Sequence, residues 1–147
     1  MNILPDFKDF LRLLESHQVE YMIVGGYAVA FHGYPRFTKD IDIFFASSVE
    51  NVERLRKVFI QFGFREESVP CESLETPGNV IAIGMAPVRI DLVNRIDGVV
   101  FAEAISNAVR GRYGDVEVSF IGREDLLRNK RSTPQTKDKA DVEELES

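Results

Sequence analysis

VGGYAVAFHGYPRFTKDIDIF, residues Val24 to Phe44, opens on an apolar residue, passes a double glycine and closes on two aspartates spaced i, i+2 between isoleucines. Aspartate is depleted in strands, and like charges that share a strand face repel. DIDIFF, Asp40 to Phe45, still alternates polar and apolar residues with the period of a half-buried strand. On that strand Asp40 and Asp42 share one face with Cα atoms about 6.6 Å apart, while Ile41 and Ile43 face the core. Two carboxylates so spaced can lean onto one cation. Magnesium suits them, because it takes oxygen ligands at about 2.0–2.1 Å and often uses one or two carboxylates with phosphate oxygens and water. A metal offsets the repulsion that strand propensity leaves unexplained.

Upstream of the acids, VEYMIV (Val19 to Val24) reads as a buried strand ended by Gly25-Gly26, and YAVAFHG (Tyr27 to Gly33) as a short helix. A glycine pair at a strand–helix junction lets backbone N–H groups approach an anion closely, helped by the helix N-terminus. Tight packing is the competing reading of the same pair. Pro35 holds Tyr34 extended, so a loop leads to the acids. Arg36, Thr38 and Lys39 in that loop are placed either to touch phosphates or to face solvent.

Phe7, Phe10, Leu11 and Leu14 make a helical stripe ahead of the first strand. Ser47 and Glu50 have capping-box spacing before a helix striped by Val52, Leu55, Phe59 and Phe62. Residues 64 to 79, with Pro70, Pro77 and Gly78, read mostly as loop. NVIAIGM (Asn79 to Met85) and VRIDLV (Val88 to Val93) predict two strands joined by a turn at Ala86-Pro87. In the second, Val88, Ile90 and Leu92 share one face, which leaves Asp91 on the other with Arg89 and Val93. Asp91 is the candidate third acid of a two-metal site, in which ions about 3.5–4 Å apart serve the attacking and the departing oxygen. An exposed acid on an edge strand is the alternative for it. A helix over Val99 to Val109, a strand over Asp115 to Ile121, and helices near Arg123 to Lys130 and Thr136 to Leu145 complete the chain. Strands and helices mix without a regular βαβ rhythm. The expectation is an α+β fold, a mixed β-sheet with helices packed around it, in one domain spanning 1–147.

The 147 residues carry 18 basic and 24 acidic side chains, a net charge of −6, which argues against a protein that coats nucleic acid by long-range attraction. From Arg123 to Lys139 the balance turns basic, as a solvated charged face would. Apolar runs are too short to predict a membrane span, and MNILPDFKDFLRLLE lacks the basic leader and apolar stretch of a secretory signal. Cys71 is the sole cysteine, so no intrachain disulfide forms and a reducing cytoplasm is expected. With two histidines and that cysteine, no zinc pattern exists. There is no Gly-x-x-x-x-Gly-Lys-Ser/Thr loop and no Gly-x-Ser-x-Gly elbow.

Gly25-Gly26 followed by Asp40-Ile41-Asp42, with Asp91 in a later strand, resembles the signature of the polymerase-β-type nucleotidyltransferase superfamily. The string GGYAVAFHGYPRFTKDID is similar to minimal nucleotidyltransferases related to abortive-infection (type IV) toxins of toxin–antitoxin pairs. EDLLRNKRSTPQTKDKADVEEL resembles that family's C-terminal segment, which maps its lysine and its lysine-aspartate pair to Lys130, Lys137 and Asp138, with a further aspartate at Asp141. Gln135-Thr136 stand where family members often have an arginine, and larger relatives carry an added helical domain.

The resemblance implies transfer of an NMP from an NTP, with release of pyrophosphate, to an RNA end or a protein hydroxyl, and a cognate antitoxin as partner. It implies Mg2+, with Mn2+ as a substitute, held by Asp40, Asp42 and Asp91. It also implies phosphates seated by Gly25 and Gly26 and contacted by Arg36, Thr38, Lys137 and Asp138, with Lys130 neutralising developing charge. Two alternatives stand beside it: a nucleotide- or partner-binding protein of this fold with little turnover, and a small-molecule nucleotidyltransferase of the antibiotic-modifying kind.

Overall fold

Pro5 sits in the first turn of helix α1 (Pro5–Ser16), where its missing N–H costs nothing. The predicted stripe of Phe7, Phe10, Leu11 and Leu14 is fully buried, and each side chain contributes about 1.5–3 kcal/mol by leaving water. The computed structural model describes residues 4–34, 38–85, 88–133, 142–143 and 145–146. After α1 come β1 (Tyr21–Val24), α2 (Gly25–Phe31), β2 (Asp40–Phe45) and α3 (Val49–Phe62). Then follow α4 (Cys71–Glu75), β3 (Val80–Met85), β4 (Val88–Val93), α5 (Phe101–Ala104), β5 (Val109–Tyr113), β6 (Val116–Phe120) and α6 (Arg123–Arg131).

The six strands form one mixed sheet in the order β3-β4-β2-β1-β6-β5. β2 runs parallel to β4 and β1 parallel to β6, while the pairs β1–β2, β3–β4 and β5–β6 are antiparallel. This is the α+β mixed sheet that the element pattern predicts.

Both faces of the sheet are covered. Ile41 and Ile43 of β2 and Ile90 and Leu92 of β4 join the larger core beneath α1 and α3. On the opposite face Met22, Val24 and Phe44 pack against Ala28 and Val29 of α2 and Leu126 and Leu127 of α6. Asp40, Asp42 and Phe44 share that second face by the two-residue period. Apolar cover over Phe44 thus gives way to acids at the start of the strand.

Four local expectations change. α3 is capped by Ser48, whose Oγ accepts from the Asn51 N–H, and not by Ser47. Ala46 N–H still donates to the Glu20 carbonyl beside β1, which delays the helix by a residue. Residues 64 to 79 hold a 3-10 turn at Glu66–Ser68 and α4. α2 begins at Gly25, so the glycines form its first turn. The helix expected over Val99 to Val109 is only α5 and a 3-10 turn at Ile105–Asn107; Val109 to Tyr113 pairs instead as edge strand β5 along β6. Gly111 makes that pairing fit, since a Cβ there would stand 2.4 Å from the Phe31 ring. The turn at Ala86-Pro87 lies outside the described residues, as does most of the expected Thr136 to Leu145 helix.

Asn51 is completely buried and ties three elements together. Its Oδ1 accepts from Glu20 N–H at 2.8 Å, and its Nδ2 donates to the carbonyls of Glu20 and Ala46 at 3.0 and 2.7 Å. Asn51→Leu leaves those backbone groups without partners in the interior. We expect a loss of about 2–4 kcal/mol in urea unfolding, with nucleotide binding by the folded fraction unchanged.

Candidate active site

Adjacent strands decide which acids meet. In the sheet register Asp42 lies opposite Val24 of β1 on one side and Asp91 of β4 on the other, and Asp40 lies opposite Arg89. The fully buried Ile41 and Ile43 hold β2 rigidly behind the acids. Asp91 is itself buried, at 8% exposure, and β4 is an inner strand, so the edge-strand reading of this residue does not apply.

Burial raises the Asp42 carboxyl, and the charges of Asp91 and Asp40 raise it further, to about 6; Lys130 and Arg89 pull the other way. Lys130 projects from α6 with 8% exposure, so a buried cation and three carboxylates share this end of the sheet. Gly25 closes the other side of Asp42. Its φ is +68°, and a Cβ there would lie 2.2 Å from Asp42 Oδ2. Only a bare Cα lets the Asp42 side chain stand where it does. The double glycine therefore admits a carboxylate, a role its pattern alone did not suggest.

Arg89 is the residue that sequence reasoning passed over. Its Nε and Nη2 donate to the two Asp91 carboxylate oxygens at 2.8 and 3.1 Å, and Nη2 also lies 3.3 Å from Asp40 Oδ2. The RID spacing places Arg89 and Asp91 on one strand face, just as DID places the two aspartates. That signal was visible, but the bridge to Asp40 needs the β2–β4 register.

Other expected positions divide. Thr38 Oγ1 is buried without a hydrogen-bond partner among the described residues. Arg36, Lys137, Asp138 and Asp141 lie outside the described residues. Leu145 is buried in the second core with Val142 packed against it, and Arg123 donates to the Leu145 carbonyl. His32 Nε2 donates to the Ile121 carbonyl at 2.7 Å, fastening the end of α2 beside β6.

The donor chemistry suits a hard divalent cation, since every candidate ligand is a carboxylate oxygen. Among the described residues, however, no three histidine, cysteine or acidic side chains are gathered as a metal cluster. Two of the carboxylates turn to Arg89 instead.

A family model described as nucleotidyl transferase of unknown function (DUF2204) matches residues 4–147. The chain belongs to this nucleotidyltransferase family. Its structural likenesses agree on the fold. It is similar to the lincosamide antibiotic adenylyltransferase LnuA, solved with lincomycin, at 18% identity and TM-score 0.57 over 100% of this chain and 99% of that one. It is similar to ANT(2")-Ia, solved with adenylyl-2"-tobramycin, at 16% identity and TM-score 0.56 over 95% and 84% of the two chains. An antigenic nucleotidyltransferase-like protein from Paracoccidioides brasiliensis is similar at 15% identity and TM-score 0.53, over 95% and 72%. Comparison with curated protein sequences finds no significant match. Among the described residues no helix of this nucleotidyltransferase is long and apolar enough to cross a membrane.

Proposed function

We propose that this nucleotidyltransferase carries an NMP from an NTP to the hydroxyl of an acceptor, with Asp40, Asp42 and Asp91 as the ligands of divalent metal. The observation that supports the reading most is Asp42 opposite Asp91 with Lys130 buried nearby. The acceptor oxygen forms a bond to the α-phosphorus, the α–β phosphoanhydride bond breaks, and pyrophosphate leaves with its electron pair. A bound cation supplies neutralisation of the phosphate oxygens. Asp91 takes the acceptor proton, Gly25 and Gly26 seat the terminal phosphates, and Lys130 offsets the charge that builds on the leaving group. The buried Thr38 hydroxyl joins Arg36, Lys137 and Asp138 in contacting the phosphates.

A small-molecule hydroxyl is the acceptor class with most support. One likeness that runs end to end is to an antibiotic adenylyltransferase. Phe44, two residues beyond Asp42 on the same strand face, lines a cleft of about 360 Å3 with Phe101, Asn94, Arg95 and Val99. The toxin reading, with RNA or protein as acceptor, an antitoxin partner and a cytoplasmic setting, rests on the resemblance of the sequence alone. Incubation with α-labelled NTPs, Mg2+ and parallel panels of aminoglycosides and lincosamides, RNA and whole-cell protein tests both. Label on a small molecule supports the first; label on RNA or protein alone supports the second; release of no pyrophosphate with any panel overturns the transferase proposal for this chain.

Lys130→Met should lower transfer by about 10²–10³-fold, the scale of losing one positioned electrostatic stabiliser. Asp42 should at the same time become harder to ionise, because its buried counter-charge has gone. Full transfer by this variant in the same pyrophosphate-release assay removes Lys130 from the site.

A further inference from the structure

Two cations act on the acids of this site, and they are not equivalent. Lys130 is buried at 8% exposure on α6, whereas the Arg89 side chain is 40% exposed. Lys130 is built into the fold. Arg89, being partly exposed, has a path into water that the buried Lys130 lacks.

What that end engages matters more. Both oxygens of Asp91 accept from Arg89, at 2.8 and 3.1 Å, and the same guanidinium reaches Asp40 across the β2–β4 register at 3.3 Å. A divalent ion that ligates Asp91 meets oxygens already engaged and a like charge beside them. A proton leaving an acceptor hydroxyl meets the same obstacle. We propose that Arg89 is the resident counter-cation of the site, seated on Asp91 and Asp40 in the empty enzyme and displaced when metal-bound nucleotide enters. The proposal rests on the metal-dependent reading above and adds to it a residue that sets metal affinity.

It accounts for two observations together. Asp40 and Asp91 are available in chemistry and position, yet among the described residues they are not gathered as a metal cluster. The guanidinium also offsets the repulsion between the two acids on one sheet face. The energetic consequence has a definite sign. Metal alone must displace Arg89 and binds weakly; metal with nucleotide brings phosphate oxygens that give the released guanidinium a new anion.

The test is titration of Mn2+ alone into the nucleotide-free protein, followed by the loss of the free-ion EPR signal, for the parent, Arg89→Gln and Arg89→Lys. Arg89→Gln should bind Mn2+ about tenfold more tightly than the parent, and Arg89→Lys, which keeps the charge and loses the fork, should fall between them. A residue that merely braced the acids would give the opposite sign, since its loss would weaken binding. Affinity unchanged or weakened in folded Arg89→Gln overturns the inference and leaves the transferase reading standing. If the parent and both variants bind no Mn2+ with or without NTP, the metal reading fails and the inference with it. Should Arg89→Gln not fold, Arg89→Lys decides: tighter binding than the parent supports the displacement, and equal or weaker binding overturns it.

Discussion

Asp42→Asn is expected to abolish nucleotidyl transfer and, in the absence of metal, to make the protein more stable at neutral pH. The two effects have one cause. Burial and the charges of Asp91 and Asp40 raise the Asp42 carboxyl from 3.8 to about 6. The folded protein therefore binds this proton more tightly than the unfolded chain does, and stability falls as pH rises between the two values. Below about pH 3 the carboxyl is protonated in both states and exacts no penalty. Above about pH 6 the penalty is complete, and a shift of this size corresponds to about 2–3 kcal/mol. Asparagine keeps the shape and cannot ionise, so its advantage should be absent near about pH 3 and reach about 2–3 kcal/mol at pH 7. Urea unfolding of parent and variant across that range measures the difference. A difference that vanishes at pH 7, or grows on acidification, shows that Asp42 is not held ionised against its surroundings. Stabilisation by Mg2+ with ATP should be lost in the variant, because the charge that disfavours the empty fold is the one that holds the cation.

Gly25→Ala is the second large effect. The backbone there has φ +68°, where a β-carbon costs about 1 kcal/mol, and the added atom would fall 2.2 Å from Asp42 Oδ2. Either the carboxylate rotates away from Asp91 or α2 shifts on the sheet, and both carry the cost of overpacking. We expect about 2–4 kcal/mol of destabilisation with loss of transfer by the folded fraction. The cause can be isolated by a double-mutant cycle. With Asp42→Ala in place, Gly25→Ala should cost only the backbone share of about 1 kcal/mol, a coupling of about 1–3 kcal/mol between touching residues. Equal costs in the two backgrounds remove the contact as the explanation.

The two variants test residues whose legibility differed. The acids of β2 stand out in sequence because alternation with isoleucines is a local signal: Ile41 and Ile43 must face a core, so Asp40 and Asp42 cannot. The same logic separated Asp91 from Ile90 and Leu92. Gly25 was visible as a residue, but its contact with Asp42 joins positions seventeen apart across the β1–β2 pairing. Strand β5, of which only Val109 falls in an expected element, escapes a local reading for the opposite reason. VRGRY has two arginines and a glycine in five residues, and it is a strand because β6 offers an edge and Phe31 lies over Gly111. Neither fact is local. The Ser47 cap failed by one residue because the last sheet hydrogen bond, from Ala46 to Glu20, decides where the helix may start.

The sequence by itself determined the side of each strand that carries charge, the amphipathic stripe of α1, the mixed α+β order of elements and the nucleotidyltransferase character of the chain. These depend on periods of two and 3.6 residues and on motifs short enough to be read in place. Tertiary structure alone decided that Asp42 faces Asp91, that Arg89 rather than a third acid lies against Asp40, and that Lys130 is buried beside them. Those placements follow from the parallel register of β2 with β4, strands separated by a helix pair and a hairpin partner. Register between distant strands is fixed by how the isoleucine faces share one core, and no stretch of sequence contains both sides of that contact.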